Sequence, residues 1–139
     1  MRVILLILIG LSSLSLADFS RSGDIVIDNI TKLQWQDNKV TDKMNWQEAI
    51  DYCQSLNLGG YSDWRLPNKN ELISIVDYSK YNPAIDNQFQ NTISYYYWSA
   101  TSNGSSSNAA WYVRFYSGHT YSSGYKYDGL YVRCVRAGQ

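Results

Sequence analysis

Residues 59–72 read GGYSDWRLPNKNEL, and this stretch joins a turn to the start of a helix. Pro67 and Asn68 are typical of a helix N-terminus, and Glu71 follows Asn68 at the spacing of a capping box. The residues from Trp64 to Pro67 are expected to form a turn that is locked directly before this helix. The apolar face of the helix is predicted to consist of Leu72, Ile75 and Val76.

A longer helix is predicted just before this stretch. Asn45 and Glu48 have the spacing of a second capping box. Apolar residues then recur with the helical period, and they are Trp46, Ala49, Ile50, Cys53 and Leu56. The pattern places Cys53 on the buried face, and Gly59-Gly60 is expected to end the helix.

The sequence on either side of the two helices favours β structure. Residues 24–37 and 95–98, the alternating residues 111–116, and residues 130–136 are predicted as strands. Polar, glycine-containing or proline-containing stretches are predicted as irregular segments or turns, at residues 37–43, 80–94, 101–108 and 117–119. Two early helices followed by several strands indicate an α+β fold rather than alternating βαβ units.

The N-terminal residues indicate export. Arg2 precedes a short apolar run that ends in Ser15-Leu16-Ala17, as in a secretory signal peptide. The prediction is a signal peptide at residues 1–17 and a single domain at residues 18–139. A membrane anchor is the alternative, but the run is shorter than the roughly 20 apolar residues that span a bilayer. No membrane span is expected after cleavage, and the protein is expected to be secreted, periplasmic or at the cell surface.

The charge balance and the cysteine content limit the partners and the chemistry that the protein can have. The chain has 12 basic and 12 acidic residues, a balance that argues against nucleic acid or an anionic membrane as the partner. Two cysteines in an exported chain most simply form one structural disulfide, Cys53–Cys134. A reactive thiol is the alternative, but the chain has no C-x-x-C spacing.

Several motifs stand in a definite order along the chain. They are DNITKLQWQ (28–36), NWQEAIDYC (45–53), GGYSDWRLPNKNEL (59–72), YYWSAT (96–101), AWYVRFYSG (110–118) and YVRCVR (131–136). Their order resembles the Lcl C-terminal domain family of bacterial secreted and surface proteins, from about residue 24 to residue 136. The resemblance implies a C-type lectin-like fold, with two helices packed on short antiparallel sheets and one disulfide. It also implies adhesion through sulfated glycans, by analogy with the founding member.

The positions that match the family's shared residues are expected to be structural. They are Trp64, Arg65, Pro67, Glu71, Trp98, Trp111, Arg133 and Cys134. Arg65 is expected to form a buried bidentate pair with a carboxylate such as Glu71. The alternative is that Arg65 binds an anionic ligand.

No catalytic constellation is visible in the sequence. His119, the one histidine, has no evident nucleophile or metal cluster beside it, so no enzyme activity is expected. The carboxylates lack the spacing of an EF-hand loop, and the Glu-Pro-Asn and Gln-Pro-Asp triplets of sugar-binding C-type lectins are absent. No metal or other cofactor is therefore predicted, and calcium is not indicated.

The compositional bias lies in the C-terminal half. Nine of the 13 tyrosines follow residue 90. Serine, asparagine and glycine surround them, and this composition is typical of antibody binding loops. The candidate ligand-binding residues are Tyr112, Arg114, Tyr116, His119, Tyr121, Tyr125 and Tyr127. The alternative is that these tyrosines only populate half-buried strands.

These observations favour a secreted or surface-exposed binding module whose partner is an extracellular glycan or protein. The alternative is a structural or assembly subunit, in which self-association builds a surface filament or a homo-oligomer through an exposed edge or aromatic patch. An enzyme is the weakest alternative, because it rests on fold analogy alone.

Overall fold

Two small antiparallel sheets and two short helices build the domain, which confirms the α+β prediction. The computed structural model describes residues 18–138, so the predicted signal peptide at residues 1–17 lies outside the described residues. The elements are β1 (Phe19–Ser22), β2 (Ile25–Asp28), β3 (Leu33–Gln36), α1 (Trp46–Ser55), α2 (Lys69–Ser74), β4 (Tyr96–Asn103), β5 (Ser106–Arg114), β6 (His119–Tyr125) and β7 (Val135–Ala137).

The first sheet joins the two ends of the described chain. Its strand order is β1-β2-β3-β7, and every neighbouring pair is antiparallel. Trp35 stands opposite Val26 on one side and Val135 on the other, and all three side chains are buried. The predicted strand at residues 130–136 is shorter than expected, because residues 132–134 run between the two parts of the core before β7 begins.

The second sheet is a meander of β4, β5 and β6. The prediction of a loop at residues 101–108 is wrong, because β4 and β5 continue toward each other and only Gly104 and Ser105 connect them. Asn103 supports this tight hairpin by accepting a hydrogen bond from the backbone N–H of Ser105 and donating one to the carbonyl of Ser122. His119, expected in a turn, is the first residue of β6.

Both predicted capping boxes are confirmed. Asn45 caps α1 with Glu48, and Asn68 caps α2 with Glu71. The predicted end of α1 at the glycine pair is wrong: the helix ends at Ser55, and Gly59 and Gly60 form a separate turn with φ of 64° and 81°. Within residues 18–138, no helix is both long and apolar enough to cross a membrane.

The core consists of two buried clusters. One lies between the first sheet, α2 and the second sheet, and includes Trp35, Leu72 and Phe115. The other surrounds the Cys53–Cys134 disulfide, whose Cα atoms are 5.5 Å apart, and includes Trp64 and Trp98. The predicted disulfide is therefore confirmed, and it ties α1 to the C-terminal segment.

Candidate functional site

Tyrosine side chains cover one face of the second sheet. Tyr96 on β4, Arg114 on β5 and His119 on β6 are cross-strand neighbours, and Tyr112 pairs with Tyr121 in the same way. The ring centroids of Tyr96 and Tyr112 are 5.3 Å apart, and those of Tyr112 and Tyr121 are 5.1 Å apart. We call this set the tyrosine surface, and its members are Tyr96, Tyr112, Arg114, Tyr116, His119 and Tyr121.

Arg114 is the charged group of the tyrosine surface. Its guanidinium carbon lies 4.8 Å from the ring centroid of Tyr116 and 5.9 Å from that of Tyr96, within the range of cation–π attraction. Its Nε atom is buried, yet no atom within residues 18–138 accepts a hydrogen bond from it. The rings of Tyr96 and Tyr116 therefore hold the Arg114 guanidinium in place, and its Nε has no hydrogen-bond acceptor among the described residues.

The electrostatics of the surface favour the neutral form of Tyr112. Burial raises the pKa of Tyr112, and the neighbouring hydroxyl groups of Tyr96 and Tyr121 raise it further. The Tyr112 hydroxyl therefore stays protonated at any physiological pH. Tyr112 accordingly presents an apolar ring and a hydroxyl group rather than a compensating negative charge.

A pocket of about 250 Å³ adjoins the tyrosine surface and shares Tyr96 with it. We call it the first pocket, and its lining residues are Lys43, Tyr95, Tyr96, Gly129, Leu130 and Tyr131. The Lys43 ammonium lies 5.6 Å from the ring centroid of Tyr131 and contacts no carboxylate among the described residues. A second unpaired cation therefore stands at this end of the sheet.

The sequence prediction missed the residues of the first pocket. The run of Tyr95 and Tyr96 was interpreted only as the start of a strand, although its aromatic content was a usable signal. Lys43 gave no signal, because it reaches the site through the backbone pairing of Met44 with Leu130, which are far apart in sequence.

Tyr125 and Tyr127, also predicted as part of the site, lie apart from the tyrosine surface. Their rings contact each other at 5.1 Å, and neither has a ring contact with the tyrosine surface in the described part of the chain. The cause is an extra residue in β6, since Tyr121 pairs with Tyr112 but Gly124 pairs with Ala110. This bulge turns Tyr125 to the other face of the sheet.

Tyr127 instead lines a second pocket of about 260 Å³. The remaining lining residues are Asn45, Trp46, Gln47, Ser107, Asn108 and Lys126. Lys126 is held 3.8 Å from the ring centroid of Trp46, and its ammonium donates a 2.8 Å hydrogen bond to the hydroxyl of Ser102. This second pocket therefore combines aromatic rings with amide, hydroxyl and ammonium groups.

The positions of the family motif mostly support the framework. Trp64 is buried and its indole N–H points at the carbonyls of Leu58 and Tyr61, and Pro67 is fully buried. Trp98 is also fully buried, and its indole N–H donates to the carbonyl of Met44. Trp111 is half-buried, beneath the ammonium of Lys69 at 4.1 Å.

Arg65 and Glu71 form the predicted bidentate pair, at 2.6 and 2.7 Å. The expected burial is wrong, because 45 % of the Arg65 side chain is exposed. Burial would raise the pKa of Glu71, but hydrogen bonds from Arg65 and from the backbone N–H of Asn68, together with the charge of Arg65, lower it overall. Arg65 is thus occupied within the protein, which favours its structural interpretation.

Arg133, expected to be structural, is buried, and its partner Asp37 was not predicted. Arg133 donates to the carboxylate of Asp37 and to the carbonyl of Gln36, both at 2.8 Å. Arg21 also pairs with Asp37, which further accepts hydrogen bonds from the backbone N–H groups of Gln90 and Asn91. Asp37 is a single acidic residue in a polar stretch, so the sequence does not indicate that two arginines and two backbone N–H groups converge on it.

One arrangement near His119 was not expected from the sequence. The hydroxyl of Ser117 lies 2.7 Å from Nδ1 of His119, so a hydroxyl group does accompany the histidine. The pair is exposed, and no carboxylate contacts the ring to orient it within residues 18–138, as a nucleophile and its base require. The same residues contain no group of three or more histidine, cysteine, aspartate or glutamate side chains that could hold a metal ion.

Comparison with known proteins identifies the family to which the chain belongs. No curated protein sequence matches the chain. Residues 24–136 match the Lcl C-terminal domain, the family that the order of the sequence motifs predicted. The match covers most of the residues from 18 to 139 and includes the tyrosine surface and both pockets. The chain therefore belongs to the Lcl C-terminal domain family.

Proposed function

We propose that this protein is a binding module that acts outside the cytoplasm and recognises a glycan or a protein through the tyrosine surface. The observation that carries the proposal is Arg114, a cation held between two rings with no hydrogen-bond acceptor in the described chain. The Arg114 side chain is half-buried, so the accessible part of its guanidinium can donate charge-assisted hydrogen bonds to a ligand.

The size and chemistry of the neighbouring first pocket favour a glycan. A protein cavity of about 150 Å³ holds a benzene molecule, so a pocket of about 250 Å³ has room for one six-membered sugar ring. Rigid tyrosine rings offer contact area at low entropic cost, and their hydroxyl groups can bond to sugar hydroxyls. Lys43 and Arg114 would add charged hydrogen bonds from either side of Tyr96.

Three further parts of the proposal have separate support. Export is supported by the N-terminal sequence and by the buried disulfide, which is typical of oxidising compartments. A C-type lectin-like fold is supported by the family, by the two small sheets and by the pairing of both chain ends in one sheet. A binding role without catalysis is supported by the exposure of the Ser117–His119 pair.

The test is a glycan-array screen of the purified protein with and without calcium, beside two tyrosine variants. Tyr121→Ala removes a ring of the tyrosine surface, and Tyr78→Ala removes an exposed ring elsewhere as the control. We expect saturable binding that Tyr121→Ala weakens about tenfold and Tyr78→Ala leaves unchanged. An array without binding, or equal binding by both variants, would contradict the glycan proposal.

Self-association is the second candidate, and the extent of the exposed aromatic area favours it. Tyr81 is 74 % exposed and its ring contacts Tyr116 at 6.2 Å, so it extends the tyrosine surface beyond Arg114. Large aromatic patches often mark protein interfaces. Light scattering after size-exclusion chromatography at high protein concentration tests it, since a strictly monomeric protein would exclude a homo-oligomeric role.

A further inference from the structure

The two pockets lie next to each other along one structural ridge. Met44 and Leu130 exchange two backbone hydrogen bonds of 2.8 and 2.9 Å, which lays residues 43–45 beside residues 129–131. Lys43 on one side of Met44 lines the first pocket, and Asn45 on the other side lines the second. Two residues of chain span at most about 7 Å, so the backbones of Lys43 and Asn45, one from the wall of each pocket, lie within that distance of each other.

The second pocket borders the face of the second sheet that carries the first pocket, and Tyr127, whose ring contacts Tyr125, reaches it from the other face. Side chains of alternate residues in a strand share a face, so Asn108 lies on the face of Tyr112 and Arg114. Asn108 lines the second pocket, and Tyr96, which pairs with Arg114, lines the first. The indole N–H of Trp98 donates to the carbonyl of Met44 and holds the ridge on this face.

The pockets are matched in volume and similar in chemistry. Their volumes are about 250 and 260 Å³, so each has room for one six-membered ring with its substituents. Each contains an aromatic wall and one lysine, and no aspartate or glutamate lines either of them among the described residues. Neither Lys43 nor Lys126 forms an ion pair within residues 18–138.

We propose that the two pockets are neighbouring subsites for successive rings of one linear oligosaccharide that crosses the Met44–Leu130 ridge. The inference rests on the glycan-binding role proposed above and deepens it. The first pocket, with Tyr96 and Tyr131, holds one ring, and the second, with Trp46 and Tyr127, holds another. Asn108 and Lys126 hydrogen-bond the hydroxyl or carboxylate groups of the second ring.

A ligand that occupies both subsites gains affinity without any new contact at the first one. Once the first ring is bound, the second ring is delivered at a high effective concentration, and the affinity rises with chain length. A single ring gains nothing from the second pocket. The length dependence of binding is therefore the property that separates two linked subsites from one isolated site.

The experiment is a calorimetric titration of the full chain with cello-oligosaccharides and with oligogalacturonides of one to four rings. The first series is neutral and the second carries a carboxylate on each ring, which the two lysines would favour. For the series that binds more tightly, we expect the affinity of the four-ring ligand to be at least tenfold higher than that of the single ring. Absence of binding by both series, or equal affinity for one and four rings, would overturn the inference.

Two exposed tyrosines provide the variant and its matched control. Tyr127 is 71 % exposed and lines the second pocket, whereas Tyr78 is 68 % exposed and lines neither pocket. We expect Tyr127→Ala to weaken binding of the four-ring ligand about tenfold and to leave the single ring unchanged. Tyr78→Ala should change neither affinity.

The outcomes also separate this inference from the proposed function. If Tyr121→Ala weakens binding of the four-ring ligand but Tyr127→Ala does not, the tyrosine surface binds glycans and the proposal of a second subsite is wrong. If neither variant changes the affinity, both proposals fail. The indole N–H signal of Trp46 gives an independent readout by NMR, because Trp46 lines the second pocket. The signal should shift with the four-ring ligand and not with the single ring.

Discussion

Arg133 and Arg114 are the same amino acid in opposite situations. Arg133 is 3 % exposed and donates hydrogen bonds to the Asp37 carboxylate, two backbone carbonyls and the hydroxyl of Thr92. Arg114 lies on the sheet face between two tyrosine rings, and no described residue accepts a hydrogen bond from its guanidinium. Arg133 donates four side-chain hydrogen bonds within the fold and leaves its Nε without an acceptor, whereas the guanidinium of Arg114 finds no acceptor at all among the described residues.

The difference separates the part of the molecule that holds the fold together from the part that is free to bind. Around Asp37, carboxylate oxygens, backbone N–H groups and carbonyls are paired with one another, as buried polar groups usually are, and the Nε of Arg133 is an exception. On the tyrosine surface, aromatic rings take the place of acceptors, and Arg114 and Lys43 carry charges that no carboxylate in the described chain balances. Substitutions in the first region should therefore affect stability, and substitutions in the second should affect binding.

The largest expected effect is loss of the disulfide, which closes the buried region. Cys53 and Cys134 are 81 residues apart in sequence, and closing a loop of that length stabilises by about 4.5 kcal/mol in the chain-entropy model. The double substitution Cys53→Ala/Cys134→Ala should lower the free energy of unfolding by about that amount. Urea denaturation with and without reductant measures it, and an equal stability of the two forms would contradict the expectation.

Removal of the Arg133 side-chain charge should have the next largest effect. Arg133→Met leaves the Asp37 carboxylate buried with Arg21 as its one remaining cation, and breaking a buried pair costs about 3–5 kcal/mol. Arg114→Met is the matched control on the other arginine, and it should change the free energy of unfolding by less than about 1 kcal/mol. Similar losses in the two variants would remove the distinction between the two regions.

Acid should weaken the buried region through Asp37. Burial alone would raise the pKa of Asp37, but the charge and hydrogen bonds of Arg133, with hydrogen bonds from Arg21 and the Gln90 backbone, lower it below 3.8. The unfolded chain then binds more protons than the folded one as the pH falls below about 4, so the stability from this group is lost there. It is fully present above that pH.

Thermal unfolding followed by circular dichroism between pH 6 and pH 2 checks this sign. The melting temperature of the native protein should fall as the pH drops below about 4. Asp37→Asn should begin with a lower melting temperature and lose less of it over the same range. A native melting temperature that rises toward pH 2 would contradict the assignment.

Local signals in the sequence predicted much of the framework. The two capping boxes need only residues three positions apart, so Asn45 with Glu48 and Asn68 with Glu71 were readable without any tertiary information. The disulfide followed from two cysteines in a chain expected to be exported. Each of these features depends on short spacing or on composition, which the sequence displays directly.

The site depended on long-range pairing that the sequence does not display. The bulge between Tyr121 and Gly124 separates Tyr125 from the tyrosine surface, and strand register is not visible in a serine-rich stretch. Lys43 joins the first pocket only because Met44 pairs with Leu130. The hairpin around Gly104 was mistaken for a loop because its residues lack β propensity and are held by cross-strand hydrogen bonds instead.

The most direct test of the binding role of Arg114 combines a titration and a melt on Arg114→Met. Methionine keeps an unbranched, apolar side chain against Tyr96 and Tyr116 but removes the unsatisfied donors. Titration with a glycan that the native protein binds should show at least tenfold weaker affinity in the variant, with a melting temperature within about 3 °C of the native value. Unchanged affinity would contradict the claim that Arg114 donates hydrogen bonds to a ligand on the tyrosine surface.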